Sequence, residues 1–541
     1  MDFEIPEQLV DKLMHSVDAD SPLGRRLAED SIFHGRMVVP GRLFERDDLD
    51  TFYEICRSED ERTTMLQVSA LRRIMTEPAG IKLNKLDVFV PALVAYLYKN
   101  VIDGWLYRRH KDGVLLPWLV NYVRHNKPTE GASYVVVGLI ANTIWSAQNE
   151  ASEDQRRRRS GMTNAIVFYE HDLQNRTIPE LLAERGYFKE NEELRDEYVA
   201  HEKRFLDFQR RFGEQFRFSN AAFIAHNRSR VEFFKVPPSA AVKCVNDEEL
   251  LERQFEMNAE TDAWRQLGVT KSFDRIPLHC YMYVFHLELH KNMWVHVQNL
   301  EPYVYKPELR DKLILPDTHR DLIDILTSDL DVLMDDIVEG KSGGTIILCQ
   351  GLPGLGKTLT AEVYSEVVGK PLYRVHSGQL GTTASSVEAN LSAILQRAAR
   401  WDAIMLLDEA DVYIRCRDND LQHNAIVAEF LRTLEYFSGL LFMTTNRMDD
   451  VDDAILSRCI ATIKYEVPSR EDAIRIWKAL SDQFGVDLDD DFIETLATTY
   501  SHASGRDIKE LLKLTARYCT SKNIPFSADA FRQCAVFRGI I

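Results

Sequence analysis

The apolar, β-branched stretch Thr345-Ile346-Ile347-Leu348-Cys349 runs into Gly351-Leu352-Pro353-Gly354-Leu355-Gly356-Lys357-Thr358, then into Leu359-Thr360-Ala361-Glu362-Val363. The order is strand, glycine loop, helix, and few folds accept it. Glycines let successive backbone N–H groups turn inward around a phosphate, and the following helix presents its positive end to the same point. In such a loop Lys357 reaches the β and γ oxygens of a nucleotide, and the Thr358 hydroxyl ligates Mg²⁺. Gly351, Pro353, Gly354, Leu355, Gly356, Lys357, Thr358 and Leu359 are therefore the expected binding residues, with ATP as ligand. The competing reading is a flexible loop whose glycines recur by chance.

Ala403-Ile404-Met405-Leu406-Leu407 is a continuous apolar run, as in a strand buried on both faces, and it ends in Asp408-Glu409-Ala410-Asp411. A carboxylate at the carboxyl end of a neighbouring parallel strand can hold the Mg²⁺ shell, a role assigned to Asp408. Glu409 can then polarise the attacking water. Two adjacent acids after a strand otherwise make a turn or a helix N-cap. Leu440-Leu441-Phe442-Met443-Thr444-Thr445 is another buried-strand pattern, and Asn446 at its end is placed to orient the lytic water. The segment Asp452 to Cys459 reads as a short helix closing on Arg458, whose guanidinium can stabilise charge on a transferred phosphoryl group. A lone arginine there would otherwise serve the helix dipole.

These motifs, in this order, resemble the AAA+ ATPases, with a core like that of the classical AAA group, over residues 313 to 541. Asp420 to Arg432, continuing through Leu434-Glu435-Tyr436-Phe437, is similar to a branch of large AAA proteins best known from fungi, with bacterial relatives. Ser457-Arg458-Cys459 resembles the arginine-finger motif of clamp loaders. The resemblance implies an α/β P-loop NTPase core, a parallel sheet flanked by helices, followed by a helical lid. It also implies an ATP-driven homo-oligomeric ring, commonly a hexamer, in which Arg458 completes the neighbouring site. Asn446 matches sensor 1, and Arg506 in Ser504-Gly505-Arg506-Asp507 matches sensor 2. Many classical members have a small residue at that last position, and the alternative for Arg506 is a pair with Asp507 or Glu510.

Helical spacing over Asp472 to Leu480, Asp491 to Thr499 and Asp507 to Tyr518 supplies the lid. The segment Val375 to Glu388, where ring unfoldases carry an aromatic pore loop, has no Phe, Tyr or Trp. Leu380 and Gly381 are the residues left for that task; a turn, with Val387-Glu388 opening the next helix, is the plainer reading.

At 541 residues the chain exceeds one core, and the expected division is 1–100 mostly helical, 101–214 mixed, 215–306 β-rich, 313–468 motor core and 469–541 lid. Leu86 to Tyr98 and Thr64 to Met75 are the better helical stretches. Trp105 to Val120 reads as a hairpin around Asp112-Gly113, its tryptophans either a recognition surface or a core. The window Tyr134 to Trp145 is too short to span a bilayer and reads as a strand or core helix. Arg156 to Arg159 could touch phosphates, although a solvated loop is the commoner reading. Leu194, Tyr198, His201, Phe205, Phe208 and Phe212 mark one face of a helix. His286 and His290 share a face if residues 283–290 form a strand, and with His296 they raise a zinc reading that ordinary buried histidines outweigh. Pro307 to Pro316 links to the motor, with Leu313 to Asp317 bordering an adenine.

The 66 Lys and Arg against 84 Asp and Glu leave a net charge of −18, which argues against nucleic acid as the main partner. Eight cysteines without metal-ligand spacing suit a reducing cytoplasm, and the acidic Met1-Asp2-Phe3-Glu4 is no secretory leader. The expectation is an ATPase that remodels a protein partner selected by its N-terminal half, away from membranes and without aromatic threading. The alternatives are a nucleotide-gated oligomeric switch in defence or signalling, and a nucleic-acid-associated AAA+ machine.

Overall fold

The computed structural model describes residues 2–29, 32–33, 35–98, 105–144, 161–227, 230–237, 240–248, 255, 275–328, 344–417, 420–435, 437–448 and 450–540. Their strands form three antiparallel sheets followed by one parallel sheet. In the first, β1 (Asp2–Pro6), β2 (Ile32–Phe33) and β3 (Arg36–Pro40) lie in the order β1-β3-β2 beneath the helices Glu7–Ser16, Arg46–Ser58 and Arg62–Thr76. Phe3, Phe44 and Phe52 cluster in its core: Phe44 and Phe52 stack with centroids 5.4 Å apart, and Phe3 meets Phe44 edge-on at 5.1 Å. Residues 1–100 are expected to be mostly helical, and this small sheet carries no sequence signal of its own, because strands of five, two and five residues are too short to show a period. The helices Arg62–Thr76 and Leu86–Tyr98 cover the two stretches whose spacing announces them.

The second sheet contains β4 (Trp105–Arg109), β5 (Leu115–Asn126), β6 (Tyr134–Asn142), β7 (Gly161–Tyr169) and β8 (Tyr187–Lys189), ordered β7-β6-β5-β4-β8. Strands β4 and β5 are the expected hairpin: Arg109 faces Leu115, and Gly113 takes the left-handed φ of +88° that its turn requires. Trp105 and Trp118 are 1% and 8% exposed, so they fill a core and present no recognition surface. The apolar window beginning at Tyr134 is strand β6. Arg156 to Arg159 lie outside the described residues.

The third sheet, ordered β11-β10-β14-β13-β12-β9-β15, joins β9 (Gln215–Phe218), β10 (Ala221–Asn227), β11 (Arg230–Lys235), β12 (Val242–Asn246), β13 (Tyr281–His286), β14 (Lys291–His296) and β15 (Leu300–Pro302). The helix Glu192–Gln209 buries Tyr198, Phe205 and Phe208, and one apolar cluster runs from Ile74 to Leu300, so the second and third sheets share a core. The face shared by His286 and His290 does not form. Strand β13 ends at His286, and His290 lies in the following turn with φ +52°. His286 Nδ1 accepts from the Glu288 and Leu289 N–H groups at 3.2 Å, and His296 Nδ1 accepts from Gln298 N–H at 3.3 Å. These histidines cap turns.

The parallel sheet is β17 (Leu372–His376), β18 (Ile404–Asp408), β19 (Leu440–Thr445), β16 (Thr345–Gly351) and β20 (Ala461–Tyr465), in that spatial order. Its central strands are buried along their length, which is why they read as unbroken apolar runs. The chain leaves β16 for the far edge at β17 and returns on the other side at β20. A crevice therefore opens at the carboxyl end of β16, where strand order reverses. Four helices follow, Arg470–Phe484, Asp490–Thr499, Gly505–Lys522 and Ala528–Arg538, packed around Trp477 and Phe531. Ser469, Asp489, Ser504 and Ser527 cap their N-termini. The last helix is absent from the sequence reading. Its buried face is mostly small (Ala530, Phe531, Cys534, Ala535), and the apolar Val536 and Phe537 are exposed, which blurs the period.

Candidate nucleotide site

The loop after β16 is shaped by three glycines with positive φ: Gly351 at +150°, Gly354 at +85° and Gly356 at +101°. A Cβ on Gly351 would lie 2.4 Å from the Tyr465 carbonyl oxygen, so backbone closeness to β20 adds to the conformational demand. Gly356 caps the helix Lys357–Val368, directing its first N–H groups into the crevice. Pro353 and Leu359 are exposed, and Leu355 packs partly against the apolar cluster holding Ile347, Cys349 and Tyr364. Leu313 and Leu315 belong to that same cluster.

Lys357 is buried, and its Nζ donates to Gly351 O at 2.6 Å, Leu352 O at 2.8 Å and Asn446 Oδ1 at 3.0 Å. All three acceptors are neutral. Burial pulls its ammonium below the ordinary lysine range, against the nearby charges of Asp411 and Asp408. A phosphate placed among the loop N–H groups would supply the anion that this cation lacks, so the cradle fits a nucleotide.

Asp408, at the end of β18, is the most heavily bonded carboxylate of the site. Its Oδ1 accepts from Thr358 Oγ1 at 3.0 Å and Thr444 Oγ1 at 2.5 Å, and its Oδ2 accepts from Arg374 at 2.6 Å. Burial alone would raise its pKa; the two hydroxyls and the Arg374 charge outweigh that and hold the carboxyl below its usual range. A hydroxyl and a carboxylate 3.0 Å apart are hard oxygen donors of the kind Mg²⁺ takes.

Glu409 is exposed beside it, with φ +56°, and its N–H is held by Thr444 Oγ1 at 3.0 Å. A non-glycine residue with that φ is a locally constrained one. Asn446 follows β19. Its N–H donates to Asp411 Oδ1 at 3.1 Å while its side chain reaches Lys357, so it bridges the ends of β18 and β19 to the loop.

The remaining two residues lie differently. Arg458 follows the short helix Asp453–Leu456, donates to Ala454 O at 3.1 Å and pairs with Glu435 at 3.4 Å on the same chain. Arg506 opens the third lid helix, and its backbone N–H donates to Gly354 O at 3.2 Å, so the lid rests directly on the loop. The alternative partners of Arg506 are engaged elsewhere: Asp507 with Ser504 and Arg538, Glu510 with Lys513.

Three residues absent from the sequence reading take part. Thr444 and Asp411 lie inside motifs already singled out, so the DEAD run and the Thr-Thr strand end were their available signals. Arg374 carried no signal, since nothing in Leu372-Tyr373-Arg374-Val375 marks one charged residue in a strand as facing a carboxylate on the next. The segment after β17 is a turn, as the plainer reading expects. Leu380 is fully buried, and Tyr413 Oη lies 2.8 Å from both Ser377 O and Gly381 O, which pins the loop. Leu380 is therefore no exposed paddle, and the next helix starts earlier than expected, at Ala384 behind a Thr383 cap.

A five-stranded parallel sheet with a glycine loop, lysine, threonine and paired acids at its switch point defines a P-loop nucleotide-binding protein. Residues 347–467 match the family "ATPase family associated with various cellular activities (AAA)", so the chain carries an AAA domain. An uncharacterised AAA family ATPase of Sinorhizobium fredii is 30% identical over 138 residues, 24% of this chain and 40% of that protein. The outer mitochondrial transmembrane helix translocase of Homo sapiens is 23% identical over 247 residues, 44% of this chain and 64% of that protein. The chain thus spans less than two thirds of either relative. A chain of the solved E. coli MS115-1 HORMA:CdnC:Trip13 complex is 18% identical, with a TM-score of 0.35 over 42% of this chain and 90% of that one, a likeness too low to argue from. Among the described residues no helix is long and apolar enough to cross a membrane.

Proposed function

We propose that the chain hydrolyses ATP to ADP and phosphate as an AAA+ ring, commonly hexameric, and uses that cycle to remodel a protein partner selected by its N-terminal half. The observation that carries this reading is the convergence of Lys357, Thr358, Asp408 and Asn446 on one loop at the sheet's switch point. Lys357 and the loop N–H groups bind the phosphates. Thr358 and Asp408 would hold Mg²⁺, which supplies charge neutralisation when bound. Glu409 activates the attacking water, Asn446 orients it, Arg506 reaches the γ-phosphate from the lid, and Arg458 of one protomer completes the site of the next. The pairing of Arg458 with Glu435 in the same chain is then a resting position, released when a neighbour docks.

The pinned, non-aromatic segment after β17 supports remodelling without aromatic threading. The translocase relative, whose name describes moving a polypeptide segment, supports a protein as the object of the work. The net charge of −18 disfavours nucleic acid, and the cysteine pattern favours the cytoplasm. The test is particle mass for Glu409→Gln with and without ATP and Mg²⁺, by mass photometry. An ATP-dependent ring that Arg458→Ala abolishes is expected. A monomer in both conditions would remove the trans-acting role of Arg458 and leave the nucleotide-gated switch as the better reading.

A further inference from the structure

Asp408 has a resident cation. Arg374 lies on the edge strand β17, opposite Leu406 of β18, and its guanidinium reaches along the strands to Asp408 Oδ2 at 2.6 Å. The other oxygen, Oδ1, is already shared by Thr358 and Thr444. Both oxygens are thus engaged within the protein, whereas a hydrated divalent ion beside Thr358 needs this carboxylate to accept from its waters. A second acid stands ready for the guanidinium: Glu362, on the helix after the glycine loop, has its Oε1 3.5 Å from Arg374 Nη1. Arg374 Nε is buried without a hydrogen-bond partner, so its present position leaves one donor unsatisfied. The geometry describes one cation between two carboxylates, only one of which faces the metal position.

We infer that Arg374 is a positioning residue that occupies Asp408 when no divalent ion is present and yields it by shifting toward Glu362, thereby setting how strongly nucleotide binding depends on Mg²⁺. The inference rests on the nucleotide reading of the site. With Arg374 in place, metal-free nucleotide meets a neutralised Asp408 in place of a bare negative charge. Arriving Mg²⁺ must displace a cation in order to gain that carboxylate. Both effects compress the difference between affinities measured with and without Mg²⁺.

The experiment is equilibrium binding of ADP to the full chain, in excess Mg²⁺ and in EDTA, for the natural protein, Arg374→Gln, Arg374→Lys and Glu362→Gln. The readout is the ratio of the Kd in EDTA to the Kd in Mg²⁺. Arg374→Gln is expected to raise that ratio roughly tenfold, while Arg374→Lys, which keeps the charge, stays within about threefold of the natural protein. Glu362→Gln removes the alternative partner and is expected to lower the ratio. Thermal unfolding without nucleotide checks that each variant folds; if Arg374→Gln does not, the Lys and Glu362 variants carry the test. A ratio unchanged while both Kd values move together would overturn the inference, leaving Arg374 as a prop for β17 with the nucleotide reading intact. A natural protein that binds ADP in neither buffer would defeat both readings.

Discussion

The parallel sheet and the two antiparallel sheets that share a core both bury polar side chains, but they assemble them differently. Around the parallel sheet Asp408 and Thr444 lie at the ends of strands and Lys357 at the start of the helix after the glycine loop, each inside a short run of sequence bearing glycines, acids or threonines. In the front half, Asp112, Tyr281, His279 and His296 gather from distant segments. Tyr281 Oη donates to Asp112 Oδ2 at 2.6 Å across 169 positions, and His279 Nε2 lies 2.8 Å from Pro117 O across 162. The first arrangement gathers polar groups where strand order reverses; the second closes them inside the protein, on one another or on backbone groups. The difference teaches where to look for chemistry and where to look for stability, and each side can be challenged.

The largest effects belong to the crevice. Lys357→Ala is expected to abolish nucleotide binding, and Glu409→Gln to lower hydrolysis by roughly a hundredfold or more while binding persists. Binding and phosphate release measured side by side test this. Glu409→Gln hydrolysing at the natural rate would break the assignment of that carboxylate.

The front half should answer to pH. Burial pulls His279 down to about 4 and His296 to about 3, from 6.5. A depressed folded-state value means that the unfolded chain takes up its proton first. Stability is therefore intact above pH 6.5 and is lost as pH falls through the window from 6.5 toward 4 and 3. At pH 5 the loss should be about 2 kcal/mol for each histidine. His279→Gln, which can still donate to Pro117 O, should recover about half of it. The observable is the first unfolding midpoint between pH 7.5 and 5, and a midpoint indifferent to pH would contradict the closed-network picture.

Legibility in the sequence followed the same divide. The strand, glycine loop, helix order and the acids ending β18 were readable because the chemistry of a phosphate site is concentrated in contiguous residues. The hairpin at Asp112-Gly113 was readable because one turn needs one glycine with positive φ. The shared core from Ile74 to Leu300 was not, since it depends on which faces of distant segments meet. Arg374 escaped for the same reason: its meaning comes from a neighbour on the next strand, 34 positions away.

Between the two regions, Glu366 on the helix after the glycine loop receives Lys243 Nζ at 2.8 Å, Tyr303 Oη at 2.7 Å and Lys306 N–H at 3.1 Å, all from the third sheet or its exit. Asp247 accepts from Trp401 Nε1 at 2.9 Å nearby. Glu366→Ala strips one acceptor from three donors and should cost about 1–3 kcal/mol, appearing as two separated unfolding transitions where the natural protein shows closer ones. Transitions that stay equally spaced would mean the two regions are joined chiefly by their aromatic contacts, such as Phe285 against Trp401 at 5.0 Å.

The smallest predicted effect separates two glycines of one loop. Gly354 and Gly356 share a left-handed φ, so alanine at either place carries the same backbone strain, about 1 kcal/mol. Their surroundings differ. A Cβ at Gly354 would lie 2.7 Å from Ser504 Oγ and 2.9 Å from Arg506 Cβ, whereas one at Gly356 meets nothing within 4 Å. Overlap with the lid should therefore make Gly354→Ala the less stable of the two by roughly another 1 kcal/mol, measured by thermal unfolding without nucleotide. Because Arg506 N–H also bonds Gly354 O, the same change should free the lid, seen as faster amide exchange at Arg506. Equal stability for the two alanine variants would mean that the lid does not rest on the loop in solution, and that Arg506 reaches the site only after nucleotide has bound.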